Sequence, residues 1–214
     1  MRVVVFGCGS IGSRHAKNIT QLGDHELWLH DPDISRAIQL ASETGAHVAK
    51  TIDEALATSP NAALICTPPD NHVDVAKISL EAGVHCFVEK PLATNYQEAV
   101  DLTELAERNN LTLMVGFNLR FHPGLMKVHQ LIDDGTLGRV MMVRAEFGQY
   151  LPDWRPNSDY RDNYITDSES GGGIISEESH EVDYVQWLAG KIDDVYVAAG
   201  QLSDLDMRSE DSAL

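Results

Sequence analysis

The run Val3-Val4-Val5-Phe6-Gly7-Cys8-Gly9-Ser10-Ile11-Gly12 decides the fold. A short β-branched segment followed at once by glycines reads as a buried parallel strand. From Ser10 to about Leu22 the pattern is helical, and Gly23 stops it. Strand, glycine turn and helix in that order form a phosphate-binding turn. Gly7 permits the tight turn, Gly9 lets the backbone approach a pyrophosphate, and Gly12 lets helix and strand pack closely. Ser10 and Ile11 open the helix, whose free N–H groups and positive dipole end suit an anion. These five residues are the first candidates for holding a dinucleotide.

Outward from that turn, strands and helices alternate. Leu27–His30, Ala62–Cys66, Val84–Val88 and Leu111–Val115 read as strands, and Ala46–Ala49 as a shorter one. Helices are predicted from about Ile34 to Thr44, Ile52 to Ala57, Asp70 to Glu81 and Tyr96 to Arg108. Such alternation specifies an α/β fold, a doubly wound parallel Rossmann sheet with helices on both faces, over residues 1–120. In such a sheet ligands lie at the carboxyl ends of the strands. Asp31 ends the second strand, where an acid accepts from ribose hydroxyls and repels a 2′-phosphate. With Asp33 nearby and Arg36 the one neighbouring cation, this favours NAD over NADP; Asp31 as a plain helix cap before Pro32 fits either. Two further strand ends carry polar or conformationally special residues, Thr67-Pro68-Pro69 with His72, and Glu89-Lys90-Pro91. A single cleft explains all three.

After residue 120 the character changes. His122-Pro123 opens a helix to Asp134, Val140–Phe147 reads as a long strand, and Val195–Ala199 as another. Between Gln149 and Ser170 the chain is polar, aromatic and irregular, the mark of a functional loop. Gly171-Gly172-Gly173 leads into a helix to Leu188 that sets His180 and Asp183 three positions apart, a spacing at which a carboxylate can orient an imidazole. A surface pair is the simpler reading of that spacing alone.

Composition narrows the partners. The 214 residues include 33 acidic and 16 basic side chains, a formal charge of −17. That balance repels phosphate backbones and argues against nucleic acid. No apolar run approaches the ~20 residues of a membrane span, and the apolar start is too short for a secretory leader. Cys8, Cys66 and Cys86, odd in number and in apolar runs, read as free thiols of a cytoplasmic protein without a metal site.

Taken together, the motifs resemble those of the Gfo/Idh/MocA oxidoreductases. The matching residues are the opening turn through Arg14-His15, Thr67-Pro68-Pro69 with His72, and Glu89-Lys90-Pro91. They continue with Gly116-Phe117-Asn118, Arg120-Phe121-His122-Pro123, and Gly171-Gly172-Gly173 through His180 to Asp183. The resemblance implies a Rossmann domain joined to an α/β domain with an open, mainly antiparallel sheet, here 121–214 and incomplete. It implies that Thr67, Pro68, His72, Glu89 and Lys90 help bind the cofactor, that Lys90 stabilises charge on a substrate oxygen, and that His180 takes the hydroxyl proton. Arg120, Trp154, Tyr160, Arg161 and Ser176, with Lys90 and His180, would contact a sugar-like substrate, and Arg155 would assist. The stretch Tyr150–Pro156 with Asp159-Tyr160-Arg161 and Ser179-His180-Glu181 is similar to a subgroup found with surface-sugar biosynthesis.

Two departures qualify the resemblance. The family commonly has Asp where Ser176 stands, four before His180, and Glu177 is the candidate substitute. Family members are also longer, so the chain reads as an amino-terminal portion of a longer protein or a partial reading frame, its missing sheet either replaced by pairing between copies, giving a homo-oligomer, or left partly exposed. An NAD-dependent sugar dehydrogenase is the leading expectation. An NAD-binding sensor without turnover and an NAD-dependent glycosidase of the same fold remain the alternatives.

Overall fold

The computed structural model describes residues 1–154 and 158–214. Arg155 and Pro156, named above, lie outside the described residues. The chain forms two compact units, Met1–Gly116 and Phe117–Leu214.

In the first unit the strands are β1 (Arg2–Phe6), β2 (Glu26–His30), β3 (His47–Val48), β4 (Ala62–Ile65), β5 (His85–Val88) and β6 (Leu113–Val115). The helices are α1 (Ser10–Leu22), α2 (Ile34–Thr44), α3 (Ile52–Ala57), α4 (His72–Glu81) and α5 (Tyr96–Arg108). All six strands are parallel, in the order β3-β2-β1-β4-β5-β6. This is a Rossmann sheet, and its strand order reverses beside β1, where the ligand crevice of such sheets opens.

The period of two along β1 splits the core into two layers. Val3 and Val5 pack on one face with Ala16, Ile19, Leu29, Ala37 and Leu40, the apolar stripes of α1 and α2. Val4 and Phe6 face the other way, against Ile65, Val75, Leu80, Val88 and Leu102. Phe6 is fully buried, and burial of that kind contributes about 1.5–3 kcal/mol per large side chain. Side chains close several helix starts. Thr51 accepts from Glu54 N at the start of α3, and Asn95 from Gln97 N and Glu98 N at α5.

The second unit holds α6 (Pro123–Asp133), α7 (Leu151–Trp154), α8 (Ile174–Glu177), α9 (Ser179–Ala189) and a two-stranded antiparallel ladder of β7 (Ala199–Gly200) and β8 (Ser212–Ala213). Three single turns of 3₁₀ helix punctuate the aromatic loop at Tyr160–Asp162, Tyr164–Thr166 and Ser168–Ser170. The long strand expected over Val140–Phe147 does not form; the segment has no regular secondary structure and joins no ladder, and Met141, Met142 and Phe147 are exposed. Of the strand expected over Val195–Ala199 only Ala199 lies in β7, with Ala198 exchanging backbone hydrogen bonds with Leu214 beside it, while Tyr196 is 90% exposed. The single helix expected after the glycines is broken, because ψ of 27° at Glu178 departs from helical geometry. No described helix is long and apolar enough to cross a membrane.

Candidate active site

At the carboxyl edge of β1 the glycines do what their positions demand. Gly7 has φ +90°, and its N–H donates to His30 O at 2.8 Å. A Cβ there would lie 2.6 Å from Cys66 O, and one at Gly12 would lie 1.8 Å from Gly7 O. Gly9 differs, since a Cβ would meet nothing within 4 Å. It caps α1 without any side-chain hydrogen bond, which leaves the donors of the first turn, at the exposed Ser10 and Ile11, for an anion.

Asp31 stands beside this turn, 7% exposed. One carboxylate oxygen accepts from Cys8 N at 2.7 Å and the other from Asp33 N at 2.9 Å. Its charge is therefore stabilised by two backbone donors, and each oxygen keeps a lone pair for a hydroxyl. The residue that caps α2 is Asp33, not Asp31. A polar cavity next to Cys8 and Gly9 is bordered by Ser10, Ser13, Lys17 and Arg36. Both cations are already engaged, Lys17 with Glu43 at 2.7 Å and Arg36 with Asp33 at 3.4 Å. At the end of β4 the Thr67 hydroxyl is buried with no hydrogen-bond partner among the described residues, a group that a ligand in the crevice would satisfy. Open backbone over Gly9, an uncapped helix, a carboxylate and an orphan hydroxyl fit a dinucleotide.

The next strand end carries Glu89-Lys90-Pro91, with a cis Lys90–Pro91 peptide. Glu89 Oε1 lies 2.6 Å from His15 Nε2 on α1, and a Cβ at Gly116 would lie 3.1 Å from Glu89 Oε2. His72 is 1% exposed. Its Nδ1 lies 2.7 Å from Pro91 O and its Nε2 2.9 Å from Thr67 O. Expected to bind cofactor, His72 instead has both ring nitrogens on backbone carbonyls, with none left for a ligand. Burial pushes its pKa below the usual histidine value. Burial likewise pushes the Cys8 thiol up to about 12, with the Asp31 charge adding to it, and raises Cys66; neither is a ready nucleophile.

The second unit contributes its own cluster. His180 on α9 meets Phe117 edge-on, with ring centroids 5.8 Å apart. Both oxygens of Asp183, whose side chain is only 9% exposed, accept from Arg120, at 2.8 Å from Nε and 2.7 Å from Nη2. The carboxylate expected to orient His180 thus forms a two-pronged pair with Arg120, predicted as a substrate contact. Ser176 is half-buried on α8, and Glu177 is buried and accepts from the Tyr164 hydroxyl at 2.5 Å. Arg161 is exposed and forks onto Asp159, whose carboxyl it holds down at about 2. Tyr160 spends its hydroxyl oxygen on Asp206 N at 3.0 Å. Trp154 borders a separate cavity with Tyr150, Ile165, Glu177, Met207 and Glu210, its indole N–H buried and unpartnered among the described residues.

Residues 1–117 match the family model described as "Oxidoreductase family, NAD-binding Rossmann fold", and 125–214 match "GFO/IDH/MocA C-terminal domain". The chain belongs to the Gfo/Idh/MocA oxidoreductase family. Among curated members it is 35% identical over 192 residues to myo-inositol dehydrogenase Hyg17 of Streptomyces leeuwenhoekii, covering 89% of this chain and 56% of that protein. It is 33% identical over 193 residues to inositol 2-dehydrogenase of Rhizobium meliloti, with the same coverage. The WlbA dehydrogenase of Bordetella pertussis, solved with NADH and UDP-GlcNAcA, superposes with a TM-score of 0.84 at 26% identity, covering 100% of this chain and 62% of that one. GenD2 of gentamicin A biosynthesis, solved with NAD, gives 0.82 at 27%, covering 100% and 60%. The Gfo/Idh/MocA chain here thus spans little more than half the length of the curated relatives it matches.

The His15–Glu89 and Asp31–Cys8 bonds were not legible, being separated by 74 and 23 positions. In a Gfo/Idh/MocA sequence read alone, neither residue type nor spacing joins them.

Proposed function

We propose that the chain belongs to an NAD-dependent dehydrogenase that moves hydride between the cofactor and a secondary alcohol of a sugar or cyclic polyol. The reading rests on the carboxyl edge of one sheet, where the uncapped turn at Gly9, the carboxylate of Asp31, the orphan hydroxyl of Thr67 and the Glu89–Pro91 turn come together. The named substrates of the relatives, inositols and UDP-GlcNAcA, point to a polyhydroxylated ring.

NAD supplies the hydride acceptor. Gly9, Ser10 and Ile11 hold its pyrophosphate through backbone N–H groups, and Asp31 accepts from the ribose hydroxyls and keeps a 2′-phosphate out. The Lys90 ammonium stabilises negative charge developing on the substrate oxygen. His180 takes the hydroxyl proton. An alcohol is a poor acid, and hydride leaves readily only as the O–H bond gives way. Arg120 and the aromatic loop with Trp154, Tyr160 and Arg161 supply the sugar contacts.

The test is incubation with NAD and a panel of inositols and nucleotide sugars, followed at the reduced-nicotinamide absorbance. Net NADH formation that Lys90→Ala nearly abolishes, with NADH binding retained, is the expected result. Full turnover in that variant would refute the assignment. Glycoside cleavage without net NADH would replace it with the glycosidase reading, and binding without any reaction with the sensor.

A further inference from the structure

Lys90 is the one member of the Glu89–Pro91 turn whose side chain is assigned chemistry, and both of its neighbours are tied down by histidines. Glu89 is held by His15, and the Pro91 carbonyl faces Nδ1 of His72 at 2.7 Å. The other nitrogen of His72 faces the carbonyl of Thr67, at the end of β4. We infer that His72 is a positioning residue for Lys90: it donates its Nδ1 proton to the Pro91 carbonyl and ties the Lys90 turn to the start of α4.

Carbonyl oxygens only accept, and a neutral imidazole carries a single N–H. Burial favours that neutral form, so only one of the two contacts is a donor bond, and the shorter contact, at Pro91, is assigned that bond. The ring is 1% exposed, so water does not compete for the proton. With residues 89 and 91 both anchored, the backbone of Lys90 between them is held in place. Holding a reacting group in place in this way is what separates a precise site from a loose one. The inference rests on the role proposed for Lys90.

Two substitutions separate the two nitrogens, because the amide of Asn lies near the place of Nδ1 and that of Gln near Nε2. His72→Asn should keep kcat within about threefold of wild type, whereas His72→Gln and His72→Leu should lose about tenfold or more, with NADH affinity unchanged within about twofold. Equal losses in Asn and Gln variants, or losses that track melting temperature alone, would overturn the role. Two readouts do not require turnover. In the unmutated chain, nitrogen-15 NMR of the His72 ring should show Nδ1 protonated, and a ring protonated only at Nε2 would refute the bond. In chains with carbon-13 methylated lysines, the Lys90 signal, assigned by its loss in Lys90→Arg, should shift in His72→Gln and stay in His72→Asn. Movement in both or in neither would count against positioning. Should no substrate turn over, the dehydrogenase reading fails while these spectra still decide the part played by His72.

Discussion

Replacing Gly9 by alanine separates the needs of the fold from those of a ligand. Gly9 has φ −69°, so alanine is not strained there, and its Cβ would meet no atom within 4 Å. Two small effects on stability oppose each other. Loss of unfolded-chain freedom stabilises by about 0.4–1 kcal/mol, and alanine is a poorer helix cap than glycine by about the same amount. For a chain of this length about 1 kcal/mol corresponds to 2–4 °C in Tm, so melting should move by no more than ~3 °C. The free space over Gly9 is where the pyrophosphate would lie, and a methyl group in a close-packed contact costs about 1–3 kcal/mol. That corresponds to about 5–150-fold weaker binding. NADH fluorescence titration reads the affinity and differential scanning calorimetry the Tm. A Gly9→Ala protein that binds NADH within twofold of wild type would refute the placement of the phosphates, and one that melts 10 °C lower would refute the claim that the space is empty.

Gly12→Ala should behave in the opposite way: a Cβ 1.8 Å from Gly7 O meets backbone that no rotamer change can relieve, so calorimetry should show Tm lower by about 3–10 °C, from roughly 1–3 kcal/mol of overpacking. Arg120→Met removes the only described hydrogen-bond donor to the nearly buried Asp183; because Arg120 itself is 44% exposed, the cost should be moderate, about 1–2 kcal/mol in urea unfolding, and Arg120→Met/Asp183→Asn should recover part of it. Burial works against ionisation of Asp211 more than any other single effect, yet donors at Leu202 N, Ser203 and Ser212 together outweigh it and hold the group at about 2. A depressed carboxyl contributes stability above its unfolded pKa and loses it as pH falls, so the protection factors of the amides around Leu202 and Ser203, taken against intrinsic exchange at each pH, should fall between about pH 4 and pH 2 and not between pH 5 and pH 7. For His72 the folded pKa is also depressed, so the unfolded chain takes up the proton first, and Tm should begin to fall as pH drops below about 6.5; a flat profile would contradict a buried neutral ring.

The first unit was legible because its strands are self-announcing. A parallel strand covered on both faces is a continuous apolar run, and β1, β2, β5 and β6 each run straight into Gly, Asp or Glu. Val140–Phe147 has the composition of a strand too, but a strand forms only where a neighbour supplies hydrogen bonds, and no described residue supplies them. The candidate cofactor residues at Gly7, Gly9, Gly12 and Asp31 could be named from local chemistry. The partners could not. His72 lies in the motif the sequence singled out, yet only the fold shows that its two nitrogens are taken by Thr67 and Pro91. Asp183 has the spacing to serve His180, and it is Arg120, 63 positions away, that claims both its oxygens.

The carboxylate of Asp31 spans two turns at once, bonded to Cys8 N in one and Asp33 N in the other. A glycine-rich loop left to itself samples many shapes, and a ligand that had to choose one would surrender affinity in ordering it. Here a side chain from the adjacent strand has done the ordering before any ligand arrives. Association at this crevice should therefore be a single bimolecular step whose observed rate stays linear in ligand concentration, without the plateau that a slow loop closure would impose.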